Sequence, residues 1–248
     1  MRETRLMMGM PITLEAVDQC ASAQLFERVF AYFDYVDRTF STYKDTSEIS
    51  RINRGELALE QSSQDMQLVF ALAEQTHLET DGYFDIARNG GYDPSGIVKG
   101  WAIYNAAGIL REAGCENFYV DAGGDIQAVG KNDEGENWRV GIRNPFNPAE
   151  IVKVLSVSER GVATSGTYVR GQHIYNPKRQ GRLITDIVSL TVIGPNIYEA
   201  DRFATAAFAM GRDGIRFIAS LDGFEGYMID QDRRATFTSG FERYVSHA

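Results

Sequence analysis

The stretch DPSGIVKG (93–100) joins a polar loop to the start of a helix, and the rest of the chain can be placed around it. Asp93-Pro94 is typical of a turn, and Ser95 is a candidate N-cap residue. Apolar side chains follow at helical spacing, which predicts a helix from Ile97 to about Glu112. The stretch therefore reads as the entry into a helix that packs in the core.

Lys99 falls in the first turn of this predicted helix, where the helix dipole is already positive. A cation there is explained if an anion such as a phosphate binds between the lysine and the free N–H groups. The alternative is a solvated surface lysine behind a glycine-containing turn. A glycine-rich helix entry alone does not decide between the two.

The composition limits the function classes. The 248 residues are 44% hydrophobic and 24% charged, as in a soluble globular protein that buries a substantial core. A formal net charge of -9 argues against nucleic-acid binding, which needs clustered Lys and Arg. The N-terminal stretch MRETRLMMGMPITLEAV contains no long apolar segment, so we expect neither a signal peptide nor membrane insertion and predict a cytoplasmic location.

The two cysteines, Cys20 and Cys115, have no C-x-x-C partner. Neither a zinc site nor a disulfide framework is indicated by this spacing. We predict two buried free thiols in a reducing compartment.

Hydrophobic periodicity predicts a mixed fold. An opening strand over roughly 10–17 precedes amphipathic helices over 21–39 and 64–80, and many short strands follow residue 118. Regular β-α-β alternation is missing, so the chain is assigned to the α+β class with mainly antiparallel sheets. Because no linker divides the sequence, we treat residues 1–248 as a single domain.

A strong helix signal runs from Ile197 to Met210, with Asn196 and Glu199 resembling a capping box at its start and Gly211 as its stop. It carries Asp201 and Thr205 four residues apart, so both project from one face. Carboxylate and hydroxyl oxygens suit Mg²⁺, which often takes further ligands from water and substrate phosphates. Alternatively, Asp201 complements the helix N-terminus and Thr205 bonds back to a helix carbonyl.

The segment RGVATSGTY (160–168) ends a predicted strand in a turn rich in hydroxyl groups and glycine, including Thr164 and Ser165. Such a turn can bind a polar ligand or be an ordinary surface turn. His173 follows among other candidate residues and is the best candidate for an acid–base imidazole, although a lone histidine is more often structural. Tyr43 and Tyr83-Phe84 can stack on a flat ring or belong to the core.

Eight segments spread over nearly the whole chain form a larger pattern. They are MGMPITLEA (8–16), FSTYKDTSEISRIN (40–53), TDGYFD (80–85), DPSGIVKGWA (93–102), VDAGGDI (120–126), WRVGIRNP (138–145), VATSGTYVRGQHIYNP (162–177) and TVIGPNIYEADRFATAAFAMG (191–211). In this order they resemble the ApbE family of flavin transferases (FAD:protein FMN transferases). The resemblance implies a T-fold-like α+β architecture that can include an internal duplication. It also implies Mg²⁺-dependent transfer of FMN from FAD to a Thr or Ser hydroxyl of an acceptor flavoprotein, with release of AMP.

The resemblance further assigns roles to single residues. Asp201, Thr205 and the main-chain carbonyl of Gly96 match the family's metal ligands, and Asp201 and His173 are the implied catalytic residues. The remaining matches are contacts to FAD: Met8, Tyr43, Tyr83, Phe84, Asp85, Asp93, Lys99, Thr164, Ser165, His173 and Ile174.

Two departures from the family pattern bear on the chemistry. Asn176 stands where the family usually has the Asp of a "DP" pair, and the loop between Ala87 and Ser95 is short, which leaves the adenosine side more open or completed by a partner. Two alternatives to the transferase therefore remain. One is a Mg²⁺-dependent FAD pyrophosphatase, in which water replaces the acceptor hydroxyl and FMN and AMP are released. The other is an FAD-binding protein without catalysis.

Overall fold

The computed structural model describes residues 1–88, 90–167, 175–179 and 182–246. Its helices are α1 (Ala23–Phe40), α2 (Glu48–Asn53), α3 (Gln64–Glu79), α4 (Ser95–Glu112), α5 (Ile197–Ala209) and α6 (Gly214–Ser220). Its strands are β1 (Arg2–Met7), β2 (Met10–Ala16), β3 (Ala87–Arg88), β4 (Gly91–Tyr92), β5 (Phe118–Ala122), β6 (Asp125–Val129), β7 (Trp138–Asn144), β8 (Asn147–Val157), β9 (Arg160–Gly166), β10 (Tyr175–Asn176), β11 (Arg182–Leu183), β12 (Ile187–Gly194), β13 (Glu225–Asp230) and β14 (Ala235–Phe237).

One eight-stranded sheet organises the molecule, in the order β1-β2-β5-β6-β9-β12-β13-β14. Neighbours in this sheet pair antiparallel, as do the two-stranded ribbons β3–β4, β7–β8 and β10–β11. The predicted α+β class with antiparallel sheets is thereby confirmed. The internal duplication stays a prediction.

The sheet is buried on both faces. A large core packs α1, α3, α4 and α5 against one face, and a smaller core lies under the β7–β8 hairpin on the other. Side chains alternate along a strand, so neighbours in β12 serve different cores: Val192 belongs to the large core and Ile193 to the small one. This arrangement leaves the ends of the central strands to form a site between helices and hairpin.

Strand β1 was not expected from the sequence. It pairs with β2 through a tight turn at Met8-Gly9, where both residues have positive φ (52° and 73°). Such two-residue turns match the twist of a hairpin. Three of the six residues of β1, Arg2, Glu3 and Arg5, are charged, as is common in an edge strand, and this polarity concealed it.

The predicted N-cap at Ser95 is wrong. Helix α4 begins at Ser95 itself, and the Ser95 N–H donates to Asp93 Oδ1 at 3.1 Å. Asp93 therefore supplies the carboxylate that satisfies the start of this helix. By contrast, the expected cap of α5 is confirmed, since the Asn196 side chain accepts the Glu199 N–H at 3.0 Å.

The prediction of free thiols is also wrong. Cys20 and Cys115 form a disulfide with their Cα atoms 5.7 Å apart. The two cysteines follow β2 and precede β5, and the pairing of Ala16 with Phe118 brings these flanks together. The prediction of a reducing compartment was based on free thiols, so the disulfide removes that argument. In the part of the chain described, no helix has the length and apolarity needed to cross a bilayer.

Candidate active site

The site begins where α4 and α5 cross closely. A Cβ on Gly100 would lie 2.6 Å from the Asp201 Cβ and 2.8 Å from the Ile197 carbonyl oxygen. The Gly100 N–H donates to Asp201 Oδ2 at 2.7 Å across this contact. Glycine is therefore required for the crossing. The crossing brings DPSGIVKG beside Asp201 and Thr205, although about a hundred residues separate the two segments in sequence.

Three oxygen donors line this crossing. The Thr205 hydroxyl lies 3.4 Å from the Gly96 carbonyl oxygen, to which it donates. A Cβ on Gly96 would meet both Thr205 Cγ2 and the Phe84 ring at 3.2 Å, so the absent side chain keeps this approach open. We call the Asp201 carboxylate, the Thr205 hydroxyl and the Gly96 carbonyl the oxygen cradle. All three residues line one cleft of about 480 Å³.

Lys99 lies between two buried carboxylates. Its ammonium forms an ion pair with Asp125 Oδ2 and lies 3.5 Å from Asp201 Oδ1. The Asp125 and Asp201 side chains are only 3% and 4% exposed. Burial raises the pKa of Asp201; the Lys99 ammonium opposes this effect and the Asp125 charge adds to it. One lysine faces two carboxylates, so a net negative charge is left here that an additional cation would compensate.

Further charged groups line the same cleft. Burial raises the pKa of the Asp121 carboxyl, the Gly124 N–H that it accepts at 2.8 Å lowers it, and nearby Asp125 raises it further. Arg143, from the β7–β8 hairpin, adds a second cation to the lining. The cleft therefore combines cations for an anionic ligand with carboxylates for a metal.

Asp125 and Arg143 were missed as site residues. The sequence left Asp121-Ala-Gly-Gly-Asp125 open as either a turn approached by a ligand or a tight hairpin with polar ends, and it gave Arg143 no role of its own. Asp125 reaches the site because β6 pairs with β9, which places its Oδ1 2.9 Å from the Thr164 N–H. Such a long-range pairing leaves no local signal in the sequence.

Several predicted FAD contacts lie at or near the cleft. Thr164 and Ser165 line it, and the Thr164 hydroxyl shares a hydrogen bond of 2.8 Å with the Thr191 hydroxyl. Phe84 is 3% exposed and packs beside Gly96, so it belongs to the core. Asp93 is half-buried two residues before α4, where it accepts the Ser95 N–H.

The other predicted contacts are more dispersed. Met8 is half-buried in the β1–β2 turn, and Tyr43 is 97% exposed, which excludes the alternative that Tyr43 is a core aromatic. The Tyr83 ring centroid lies 4.8 Å from the Lys178 ammonium. Asp85 Oδ1 accepts the Ala87 N–H at 2.8 Å.

The segment that contains His173 lies only partly within the described residues. His173 and Ile174 lie outside the described residues, so their predicted roles stay predictions. Asn176 is buried, and its Oδ1 accepts the Lys178 N–H at 2.9 Å. The amide that replaces the usual acid therefore stabilises its own turn.

Comparison with known proteins agrees with this architecture. The sequence profile of the ApbE family matches residues 8–93 and 88–228. The FAD:protein FMN transferase of Haemophilus influenzae is 31% identical over 147 residues, which cover 55% of this chain but only 42% of that protein. The Escherichia coli K12 protein of the same name is 24% identical, with 89% of this chain and 80% of that protein covered.

A solved structure shows the shared fold. The flavin transferase ApbE from Vibrio cholerae superposes with a TM-score of 0.86, and the match covers 98% of both chains at 24% identity. The family profile spans most of the sequence and includes all three residues of the oxygen cradle. The chain therefore belongs to the ApbE family.

Proposed function

We propose that this protein transfers FMN from FAD to a Thr or Ser hydroxyl of an acceptor flavoprotein and releases AMP, with Mg²⁺ bound at the oxygen cradle. The observation that carries the proposal is the convergence of Asp201, Thr205 and Gly96 on one cleft beside Lys99. The relatives in Haemophilus influenzae and Escherichia coli are FAD:protein FMN transferases, which supports FAD as the substrate and FMN as the transferred group.

The chemistry of the donors fits Mg²⁺. Carboxylate, hydroxyl and carbonyl oxygens are hard ligands, and Mg²⁺ completes its shell with water and substrate phosphates. The Asp201 carboxylate is buried and only partly balanced by Lys99, so a divalent cation would be favoured next to it. When bound there, the ion would supply charge stabilisation to the phosphates of FAD.

The residues of the chain would then act on the pyrophosphate. The acceptor hydroxyl oxygen bonds to the phosphorus of the FMN half, and the bond from that phosphorus to the AMP oxygen breaks. AMP leaves with the electron pair, and the hydroxyl proton passes to a base, for which we propose His173. Lys99 would bind the phosphate oxygens from the start of α4 and hold the reacting phosphorus in place.

Further residues are proposed to bind FAD without taking part in the reaction. Met8, Tyr43, Tyr83-Phe84-Asp85 and Asp93 are proposed contacts to the flavin or adenosine. The sequence predicts a cytoplasmic location, whereas the Cys20–Cys115 disulfide favours an oxidising compartment.

The test is to mix the protein with FAD, Mg²⁺ and candidate acceptor flavoproteins, then measure acceptor mass, FMN and AMP. We expect one flavin on a Thr or Ser of the acceptor for each AMP released, and no product with Asp201→Ala. Asp213→Ala, which changes an exposed carboxylate, is the matched control and should keep full activity. FMN and AMP formed equally fast without acceptor would identify a pyrophosphatase, and tight FAD binding without turnover would identify a binding protein.

A further inference from the structure

Asp125 is a buried carboxylate that lines the cleft, and the family resemblance gives it no metal or flavin role. Its Oδ1 accepts the Thr164 N–H at 2.9 Å, which ties the first residue of β6 to β9. Its Oδ2 is buried, and the Lys99 ammonium lies against it as an ion pair. One carboxylate oxygen is thus fixed by the sheet, and the other is presented to Lys99.

The two carboxylates beside Lys99 are not equivalent. Asp201 Oδ2 is occupied by the Gly100 N–H, and its Oδ1 lies 3.5 Å from the ammonium, the longer of the two ion pairs. A cation on Asp201 would weaken this longer contact, because two cations repel when they share a carboxylate. The contact with Asp125 would remain and keep the lysine in the cleft.

We propose that Asp125 is a positioning residue that holds the Lys99 ammonium in the cleft for the pyrophosphate of FAD while the metal occupies Asp201. This inference rests on the proposed function. Without Asp125, the ammonium is drawn toward Asp201, the carboxylate that the metal needs, and away from the phosphate. Asp125 then serves anion binding although it carries a negative charge itself.

The proposal therefore predicts a change in FAD affinity that is opposite in sign to the change expected from charge alone. Asp125→Asn removes a negative charge from a cleft that binds a polyanion, so electrostatics alone would strengthen FAD binding. If Asp125 acts by positioning, the same substitution weakens binding. The Thr164 N–H keeps the amide oxygen at the Oδ1 position, so the new NH₂ group faces the ammonium and displaces it.

The experiment measures FAD affinity in the presence of Mg²⁺ by titration calorimetry, with folding checked by circular dichroism. We expect Asp125→Asn to weaken FAD binding by about tenfold or more, the scale of a charge-assisted contact. Asp213→Asn is the control, since it removes an exposed carboxylate that does not line the cleft, and it should leave FAD affinity unchanged. In a Lys99→Met background, Asp125→Asn should cause no further loss.

Unchanged or tighter FAD binding by Asp125→Asn overturns the proposal, and so does a further loss in the Lys99→Met background. If Asp125→Asn does not fold, Asp125→Glu takes its place, because it keeps the charge but moves it by one methylene. A loss of affinity with Asp125→Glu supports positioning, and unchanged affinity contradicts it. A wild-type protein that fails to bind FAD would instead refute the proposed function.

Discussion

The crossing of α4 and α5 can be tested with a single methyl group at Gly100. In Gly100→Ala the new Cβ would lie 2.6 Å from the Asp201 Cβ, whereas carbon atoms in contact prefer about 3.5–4.0 Å. The Ile197 carbonyl, 2.8 Å from the same Cβ, belongs to the backbone of α5 and cannot rotate away. The helices must therefore move apart by about 1 Å, and overpacking of this kind typically costs about 1–3 kcal/mol.

Alanine also stabilises a helix by about 1 kcal/mol relative to glycine, and this gain partly offsets the cost of the clash in the measured free energy of unfolding. Gly108→Ala on the same helix provides the matched control, because no atom lies within 4 Å of its Cβ. We expect Gly108→Ala to raise the free energy of unfolding by about 0.5–1 kcal/mol. Gly100→Ala should then be less stable than Gly108→Ala by about 1–3 kcal/mol, the magnitude of the clash alone.

Urea denaturation of the two variants measures this difference directly, and each kcal/mol should also shift Tm by about 2–4 °C in a chain of this size. The separation of the helices moves Asp201 away from Gly96, so Mg²⁺-dependent FAD binding should be lost in Gly100→Ala and kept in Gly108→Ala. Equal stability and equal FAD affinity of the two variants would refute the close crossing.

Three further substitutions test the surroundings of the site. Thr205→Val keeps the shape but removes a cradle oxygen, so Mg²⁺-dependent FAD affinity should fall about tenfold by calorimetry, and unchanged affinity would exclude Thr205 as a ligand. Arg202→Met leaves two partly exposed glutamates without their buried cation and should cost about 1–3 kcal/mol in urea denaturation, whereas Arg216→Met, at an 86% exposed side chain, should change stability by less than about 0.5 kcal/mol. Reducing the Cys20–Cys115 disulfide, which closes a separation of 95 residues, should lower the free energy of unfolding by about 2–4 kcal/mol, and a reductant should have no such effect on Cys115→Ala.

Local sequence signals predicted the helices and the placement of Asp201 and Thr205 on one helix face well. The i, i+4 spacing of Asp201 and Thr205 put both on one face of α5, and the Asn196 cap and the glycine stop at Gly211 set its ends. These features depend on neighbours within one or two helical turns, which a single sequence contains. The resemblance to a known family was needed for Gly96, because a backbone carbonyl has no side-chain signature.

Features that depend on distant pairing were not predicted. The place of Asp125 follows from the register between β6 and β9, and the Cys20–Cys115 bond follows from the pairing of β2 with β5. The start of α4 was misassigned because Ser95 and Asp93 are both good capping residues, and only the structure shows which carboxylate or hydroxyl accepts the N–H.

The most direct measurement is a crystal structure of the protein with FAD and Mn²⁺, with the ion located by its anomalous scattering. Mn²⁺ prefers the same oxygen ligands as Mg²⁺. We predict a peak at roughly 2.0–2.2 Å from an Asp201 carboxylate oxygen, the Thr205 hydroxyl and the Gly96 carbonyl, with the pyrophosphate of FAD completing the shell. A peak elsewhere, or FAD bound in the cleft with Lys99 still paired to Asp201 and no ion at the oxygen cradle, would contradict the proposed metal site.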